Sequence, residues 1–488
     1  MNADILNTNI YNNIKNISSK LPSNANFINR RLIIPENIGC NILYISGIAD
    51  KNDVQEIVLK PLLNTNIYLS SNNNTLVEEL IEKKIYSSEV TVSTSMKNIC
   101  SEIMNGKCAI LLDNVDKAII CNVTSAKYRN ITESTTEKSI FGSRESFVEN
   151  IDLNLTMLQR KLKNPNFKIE KYTMGDKTNT EVALTYIDGI IDPLVLSNIK
   201  SKLSTISTPI LSSSGMLEQL FDDKPCDIFP MAKTTELPDK TMSDLVQGKA
   251  AIFIAETSSA LIIPATFIEF FQGSEDYTDN SIISSFSRLL RLISIITVII
   301  LEPIYLTLLI HNPELFPYKL ISVVISSRQN IPLPPFLEIF AMDLAVEILR
   351  EGGLRLPNPI GTTLAIVGGI VIGQSATKAS LVSDITLFIV AITVISTFII
   401  PNYQMTLTIR FIRFPLLILA QTFGFFGLLS GLYLFLVILV KMDNFGVQYF
   451  SPFIPMRFSD LADTIIRGPL KKVLSNPKSL HPSKKTKK

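Results

Sequence analysis

What most constrains this chain is how unevenly charge is spread along its 488 residues. Residues 1–280 carry charged, Asn, Ser and Thr side chains at ordinary density, whereas 289–440 is dominated by Ile, Leu, Val and Phe. Backbone lying in hydrocarbon must satisfy its own hydrogen bonds, so a stretch of this kind reads as membrane helices. The expected fold is an α/β soluble half, two related α/β subdomains joined by a helix, followed by an all-α polytopic membrane domain. The expected segments are a polar Asn-rich tail (1–35), a first cytosolic subdomain (36–125) and a linker with an amphipathic helix (126–177). A second cytosolic subdomain (178–285), a transmembrane domain (286–442) and a C-terminal cytosolic tail (443–488) complete the chain.

The two subdomains rest on an internal repeat. The run Tyr44 to Asp50 recurs at Tyr186 to Asp192, and Gly106 to Ile110 recurs at Gly248 to Ile252, both 142 residues on. Two separated matches in one register are hard to obtain by chance. Each copy reads as a strand entering a Gly turn, a helical stretch, a helix ended by the Gly of Gly-Lys, and two β-rich runs. Between the copies, Phe147, Ile151, Leu155, Leu158 and Leu162 repeat at spacings of four and three. That is one apolar helical face, so a helix docking on at least one subdomain is expected there.

In the apolar half, Leu292–Ile310, Leu381–Ile400 and Pro415–Val440 pass the length test for a span. A fourth, Gly361–Ala376, is short and glycine-rich. Lys319–Ser327 and Pro335–Arg350 read as re-entrant or interfacial pieces. Four spans put Arg288, Arg291, Lys378, Lys441 and the tail lysines in the cytosol, as positive charge prefers, and leave Arg410 and Arg413 opposed to the rule. The Lys484, Lys485, Lys487, Lys488 run is either a solvated tail or an attachment to anionic headgroups. Small-residue pairs at Gly369 and Gly373, and at Gly427 and Gly431, allow close helix approach or are simply tolerated. The first twenty residues hold no apolar core of a signal peptide, so the soluble half is expected to stay cytosolic.

Several classes of function find no support. Net charge is +2, Trp is absent, and no basic stripe interleaves with aromatics, so nucleic acid is not an expected partner. The five cysteines lack metal-ligand spacing and read as reduced, buried residues. Only His311 and His481 are present, and no phosphate loop, nucleophile elbow or zinc motif occurs, so the chain is not expected to be an enzyme and no cofactor is implied.

Ionisable residues at membrane depth say more, because each is costly unless it lines a path or finds a partner. Glu302 sits beside Pro303 within the first span, at a kink or near a helix end. Glu338, Asp343 and Glu347 lie in Pro335–Arg350, where Asp343, Glu347 and Glu351 share an i, i+4 face. Around an axis such carboxylates form rings, the usual basis for cation selection. A lone interfacial helix with a solvated acidic face explains the same pattern.

Longer motifs carry a resemblance. The run Phe141 to Asp152, with Gly142, Ser143, Arg144 and Glu145 at its head, resembles the hallmark opening of the GerA-type spore germinant receptor A subunits. Similar runs follow in the family's order: Phe267 to Tyr277, Ser327 to Pro334, Glu347 to Pro357, Ile366 to Ser383, Ile400 to Tyr403 and Arg413 to Pro415. The resemblance implies a multi-pass protein of the spore inner membrane. It would act with a permease-like B subunit and a lipoprotein C subunit in response to nutrients. It also implies a ring-like oligomer in the lipid bilayer that releases cations, which fits the carboxylate helix. Glu302 and Asp384 depart from the apolar or neutral residues expected of the family. The family includes an accessory, sporulation-stage relative that assists germination without sensing a nutrient, and the sequence does not separate the two. A non-conducting scaffold is the alternative from another class.

Overall fold

The computed structural model describes residues 5–21, 26–34, 38–64, 73–87, 89–124, 145–222, 228–457 and 463–468. They fall into two compact units. One is drawn from Met1–Pro225 and Met231–Ala265, the other from Cys226–Pro230 and Thr266–Leu474.

The first unit holds two five-stranded sheets of the same topology. In the first, β1 (Phe27–Ile34), β2 (Ile38–Ile45), β3 (Val90–Ser93), β4 (Cys108–Leu112) and β5 (Ala118–Cys121) lie in the order β1-β2-β4-β5-β3. In the second, β6 (Phe167–Met174), β7 (Thr180–Ile187), β8 (Lys233–Thr235), β9 (Ala250–Ile254) and β10 (Ala260–Ile263) lie in the order β6-β7-β9-β10-β8. The register is equivalent too: Cys40 faces Leu112 as Val182 faces Ile254, and Leu43 faces Ala109 as Thr185 faces Ala251. The repeat read from two short motifs is therefore a repeat of the whole sheet. Every residue of β4 and β9 is buried, as strands covered on both faces should be. The turns into the following helices need positive φ at Gly47 (101°) and Gly189 (75°), which glycine supplies without a side-chain clash.

The repeat is longer than the sequence reading allowed. Residues 1–35, expected as a polar tail, contain helix Ile10–Lys20, whose Ile10 and Ile17 pack with Leu43, Ile45 and Ala109 on the first sheet. Helix Ile151–Leu162, expected within a linker, packs Ile151, Leu155 and Leu158 on Ala183, Ala251 and Phe253 of the second sheet. The two helices are equivalents. Asn9 and Asn150 cap them, and the Asn13 and Asn154 side chains close matching rings with the backbones of Asn7 and Val148. Each such cap contributes about 1 kcal/mol. Each repeat thus opens with its own helix.

The second unit is helical: Ser281–Ile310, Tyr318–Arg328, Pro335–Leu354, Asn358–Lys378, Asp384–Thr397 and Tyr403–Lys441. Ser281–Ile310 and Tyr403–Lys441 are long and apolar enough to cross a membrane. The segment expected to span from Leu381 to Ile400 is helical only over Asp384–Thr397, 14 residues, short of the about 20 that a bilayer core requires. Ser383 caps its start through the Thr386 N–H. Tyr403–Lys441 is interrupted at Gly424 (φ 59°, ψ −137°). Beyond it a Cβ on Gly427 would lie 2.0 Å from the Leu419 carbonyl oxygen, and one on Gly431 would lie 2.6 Å from Leu416. The later positions meet progressively earlier ones, so the second arm runs back along the first as a helical hairpin. Pro415 lies within its first arm. Phe426, Leu429 and Tyr433 on the second arm are exposed apolar side chains of the kind that hydrocarbon solvates. Segment 228–230 also belongs to this unit: Thr408 and Tyr449 hydroxyls donate to the Ile228 and Pro230 carbonyls, 2.8 Å each, and Phe229 packs edge-on against Phe267.

Candidate functional site: a buried arginine–carboxylate seam

Helix Pro335–Leu354 places Asp343 and Glu347 one turn apart, and the first arm of the hairpin places Arg410 and Arg413 one turn apart. The two helices match rung by rung. Arg410 is paired with Glu347, its Nε donating to Oε1 at 2.9 Å, and Arg413 Nη2 lies 3.1 Å from Asp343 Oδ1. Arg413 Nη1 also donates to Glu302 Oε1, 3.2 Å away, on helix Ser281–Ile310. Glu302 and Asp343 are fully buried and Arg413 is 1% exposed. Glu302 Oε2, Asp343 Oδ2 and Arg413 Nε find no hydrogen-bond partner among the described residues. One guanidinium therefore serves two buried carboxyl groups. Separating any of these charges from the others without water costs several kcal/mol per ion, so the three hold their helices together as a set.

A second pair closes the same unit. Glu338, fully buried, is paired with Arg328 and accepts a 2.6 Å hydrogen bond from the Ser383 N–H. It thereby joins helices Tyr318–Arg328 and Pro335–Leu354 to the start of Asp384–Thr397. Arg350 reaches Thr397 Oγ1 at 3.0 Å and lies over the Phe398 ring. Of the acidic face read from the sequence, Glu351 alone is largely exposed, paired with Arg355. The four carboxylates expected along an ion path are each met by an arginine of the same chain. Arg410 and Arg413, which had appeared misplaced by the positive-inside rule, are the partners of three of them, and Arg328 is the partner of Glu338. Asp384, the other departure from the family, lies in the first turn of its helix, where negative charge is favourable.

The sequence reading missed a third cluster. Asp276, 2% exposed, accepts from Arg291 Nη1 at 2.7 and 2.8 Å and from Arg288 Nε at 3.0 Å. Arg288 also donates to Asp463, and Tyr277 hydrogen-bonds the same carboxylate at 3.1 Å. Burial, reinforced by Asp463, pushes the Tyr277 phenol well above its ordinary range. The signal available was an acidic run, Glu275 and Asp276, 12 to 16 residues ahead of two arginines at the mouth of a span.

In the first unit, Asp244 accepts from Lys249 (2.8 Å) and Lys233 (3.2 Å) in a buried cluster. Burial alone would raise its carboxyl, but the two ammonium groups outweigh it and hold Asp244 well below the usual carboxylate range. Cys40, Cys100, Cys108 and Cys121 are free and buried, and burial pushes the Cys40 and Cys121 thiols up to about 12, which leaves them unreactive. Among the described residues no group of three or more His, Cys, Asp or Glu is arranged to hold a metal ion.

Of the glycine pairs, Gly427 and Gly431 sit where the hairpin arms touch. A Cβ at Gly369 would meet nothing within 4 Å, and one at Gly373 would make an ordinary 3.7 Å contact with Leu387. Gly142, Ser143 and Arg144 lie outside the described residues, as do the tail lysines and Cys226; Glu145 is paired with Lys161.

A duplicated α/β half followed by apolar helices with internally paired charges defines a membrane protein rather than a free soluble domain. Residues 14–479 match the family described as Bacillus/Clostridium GerA spore germination protein, and the chain belongs to that family. It is 34% identical over 467 residues to spore germination protein KA of Bacillus subtilis (strain 168), covering 95% of this chain and 85% of that protein. Spore germination protein A1 of the same organism is 33% identical over 473 residues, 96% of each chain. The solved N-terminal domain of the A subunit of the Bacillus megaterium spore germinant receptor GerK3 is 27% identical. It covers 54% of this chain and 97% of its own, at a TM-score of 0.42.

Proposed function

We propose that this chain is the A subunit of a nutrient germinant receptor in the spore inner membrane. In this reading it works with a permease-like B subunit and a lipoprotein C subunit, and copies of it assemble into a ring-like oligomer that releases cations. The soluble half and the C-terminal tail face the cytosol. Membership of a family named for spore germination supports the receptor role.

The observation that carries the cation path is the seam. Glu302, Glu338, Asp343 and Glu347 are acidic groups in an apolar unit, and each is held by an arginine that a small helix displacement would withdraw. In the described arrangement each carboxylate is paired with an arginine, which in this reading is the closed path. Opening it requires the first arm of the hairpin to shift against helix Pro335–Leu354, releasing Glu347 first, the least buried of the four. The same internal pairing favours a second reading, a non-conducting scaffold whose seam only holds helices together.

Potassium release from spores lacking this gene, challenged with single nutrients, tests the receptor role. Loss for one nutrient class supports it, whereas uniform slowing across nutrients favours an accessory relative. Glu347→Gln in the assembled complex then separates path from scaffold. Altered release at normal abundance supports the path, and unchanged release removes Glu347 from it.

A further inference from the structure

The two repeats meet through unlike faces. The first offers the turn at Gly47 with Ile48 and Met104, and the second offers helix Ile151–Leu162. A Cβ on Gly47 would lie 2.4 Å from Thr156 Oγ1, so the approach depends on glycine there. Beside this contact a cleft of about 570 Å³ is lined by Asp50, Lys51 and Asn52 from one repeat and Asp152, Thr156 and Lys171 from the other. At the seam Ile48 is 3% exposed, Thr156 6% and Gln159 7%.

Because the repeats are equivalent, each face has a counterpart elsewhere on the chain. The turn of the second repeat presents Gly189 and Ile190 with Leu194 and Val246, which stand where the first has Gly47, Ile48, Asn52 and Met104. Ile190 is only partly buried, while Leu194 is 72% and Val246 38% exposed. The opening helix of the first repeat presents Tyr11 and Lys15 where the second has Asp152 and Thr156, and both are exposed. Charge matches as well. Lys15 stands on the exposed helix face, where Arg31 is already held by Tyr11 and Asp113, and the exposed Asp188 stands at the exposed turn. Among the described residues each chain therefore leaves a turn socket exposed on the second repeat and a helix plug exposed on the first.

We propose that the socket around Gly189, Ile190, Leu194 and Val246 receives the Ile10–Lys20 helix of a second copy of this chain, repeating between copies the seam that joins the repeats within one. Such a contact joins unlike surfaces, and a chain of unlike contacts closes into a ring when its rotation divides a full turn. The apolar centre with a charged edge has the anatomy of a specific interface. The proposal rests on the self-association stated above and names the surface that produces it.

The test uses the full chain in its native complex in spore membranes. Tyr11→Cys and Leu194→Cys occupy the positions whose equivalents, Asp152 and Asn52, face one cleft, and a short bismaleimide should link them into a ladder of multimers. Either substitution alone should give no ladder. Lys15→Asp or Asp188→Lys, added singly, should abolish the ladder, and the two together should restore it, an outcome that misfolding would not produce. Oligomers in native mass spectra without cross-linking would overturn this surface while leaving self-association standing. Monomers alone would overturn both.

Discussion

The two repeats place the same charged pair in different surroundings. In the first, Glu102 and Lys107 meet at 2.7 Å with a quarter of each side chain exposed, at 25% and 26%. In the second, the equivalent Asp244 and Lys249 meet at 2.8 Å with 7% and 1% exposed, and Lys233 joins them. The membrane helices carry the comparison further, for there Arg413 serves two carboxyl groups with almost no exposure at all. Contact distance barely changes across this series. What changes is the cost of leaving one member alone, which grows as water is withdrawn.

Arg413→Met should therefore have the largest effect. It strands two carboxyl groups in an apolar unit, a loss of about 3–5 kcal/mol or more, read as failure of the protein to accumulate in membranes. Combining it with Glu302→Gln and Asp343→Asn should recover accumulation; no recovery would mean that the guanidinium matters for shape rather than charge.

Asp244→Ala comes next, leaving two ammonium groups facing one another, about 3 kcal/mol by the same argument and read as a lowered melting temperature of purified protein. It also carries a pH signature. The folded carboxyl binds its proton more weakly than an unfolded Asp, ordinarily near about 3.9. Its contribution is complete above that value and is lost as pH falls below it. The stability gap between the natural chain and Asp244→Asn should thus narrow on acidification below about pH 4. A gap that held constant would assign the cluster a packing role only.

Gly427→Ala drives a methyl into the Leu419 carbonyl and should cost about 1–3 kcal/mol, again by thermal melting. Glu102→Gln should be the mildest, about 0–1 kcal/mol, because water already screens the pair. A larger loss there than at Asp244 would break the comparison.

How far these arrangements could be read from sequence depended on the range of the interaction. The 142-residue offset exposed both sheets because strand and turn motifs are local. The opening helix of the first repeat was passed over because its polar face is rich in Asn, although Ile10, Ile14, Ile17 and Leu21 are spaced for one buried stripe. The acidic face of helix Pro335–Leu354 was legible, but its partners were not. Arg410 lies 63 residues from Glu347, and Arg413 lies 111 residues from Glu302. Helical periodicity says which residues share a face and nothing about which face will be opposite. The expected long span from Pro415 to Val440 likewise concealed a reversal, since a glycine within apolar sequence reads as packing until its φ is known.

The short segment 228–230 has a consequence for how the chain is made. Its carbonyl partners, Thr408 and Tyr449, are translated 180 and 219 residues later. At roughly 5–20 residues per second a ribosome needs on the order of ten seconds or more to reach them. Throughout that interval segment 228–230 lacks these two hydrogen-bond partners, and Phe229 lacks the Tyr449 ring. Synthesis as far as Tyr449 is thus a condition for fully packing a residue encoded in the chain's first half.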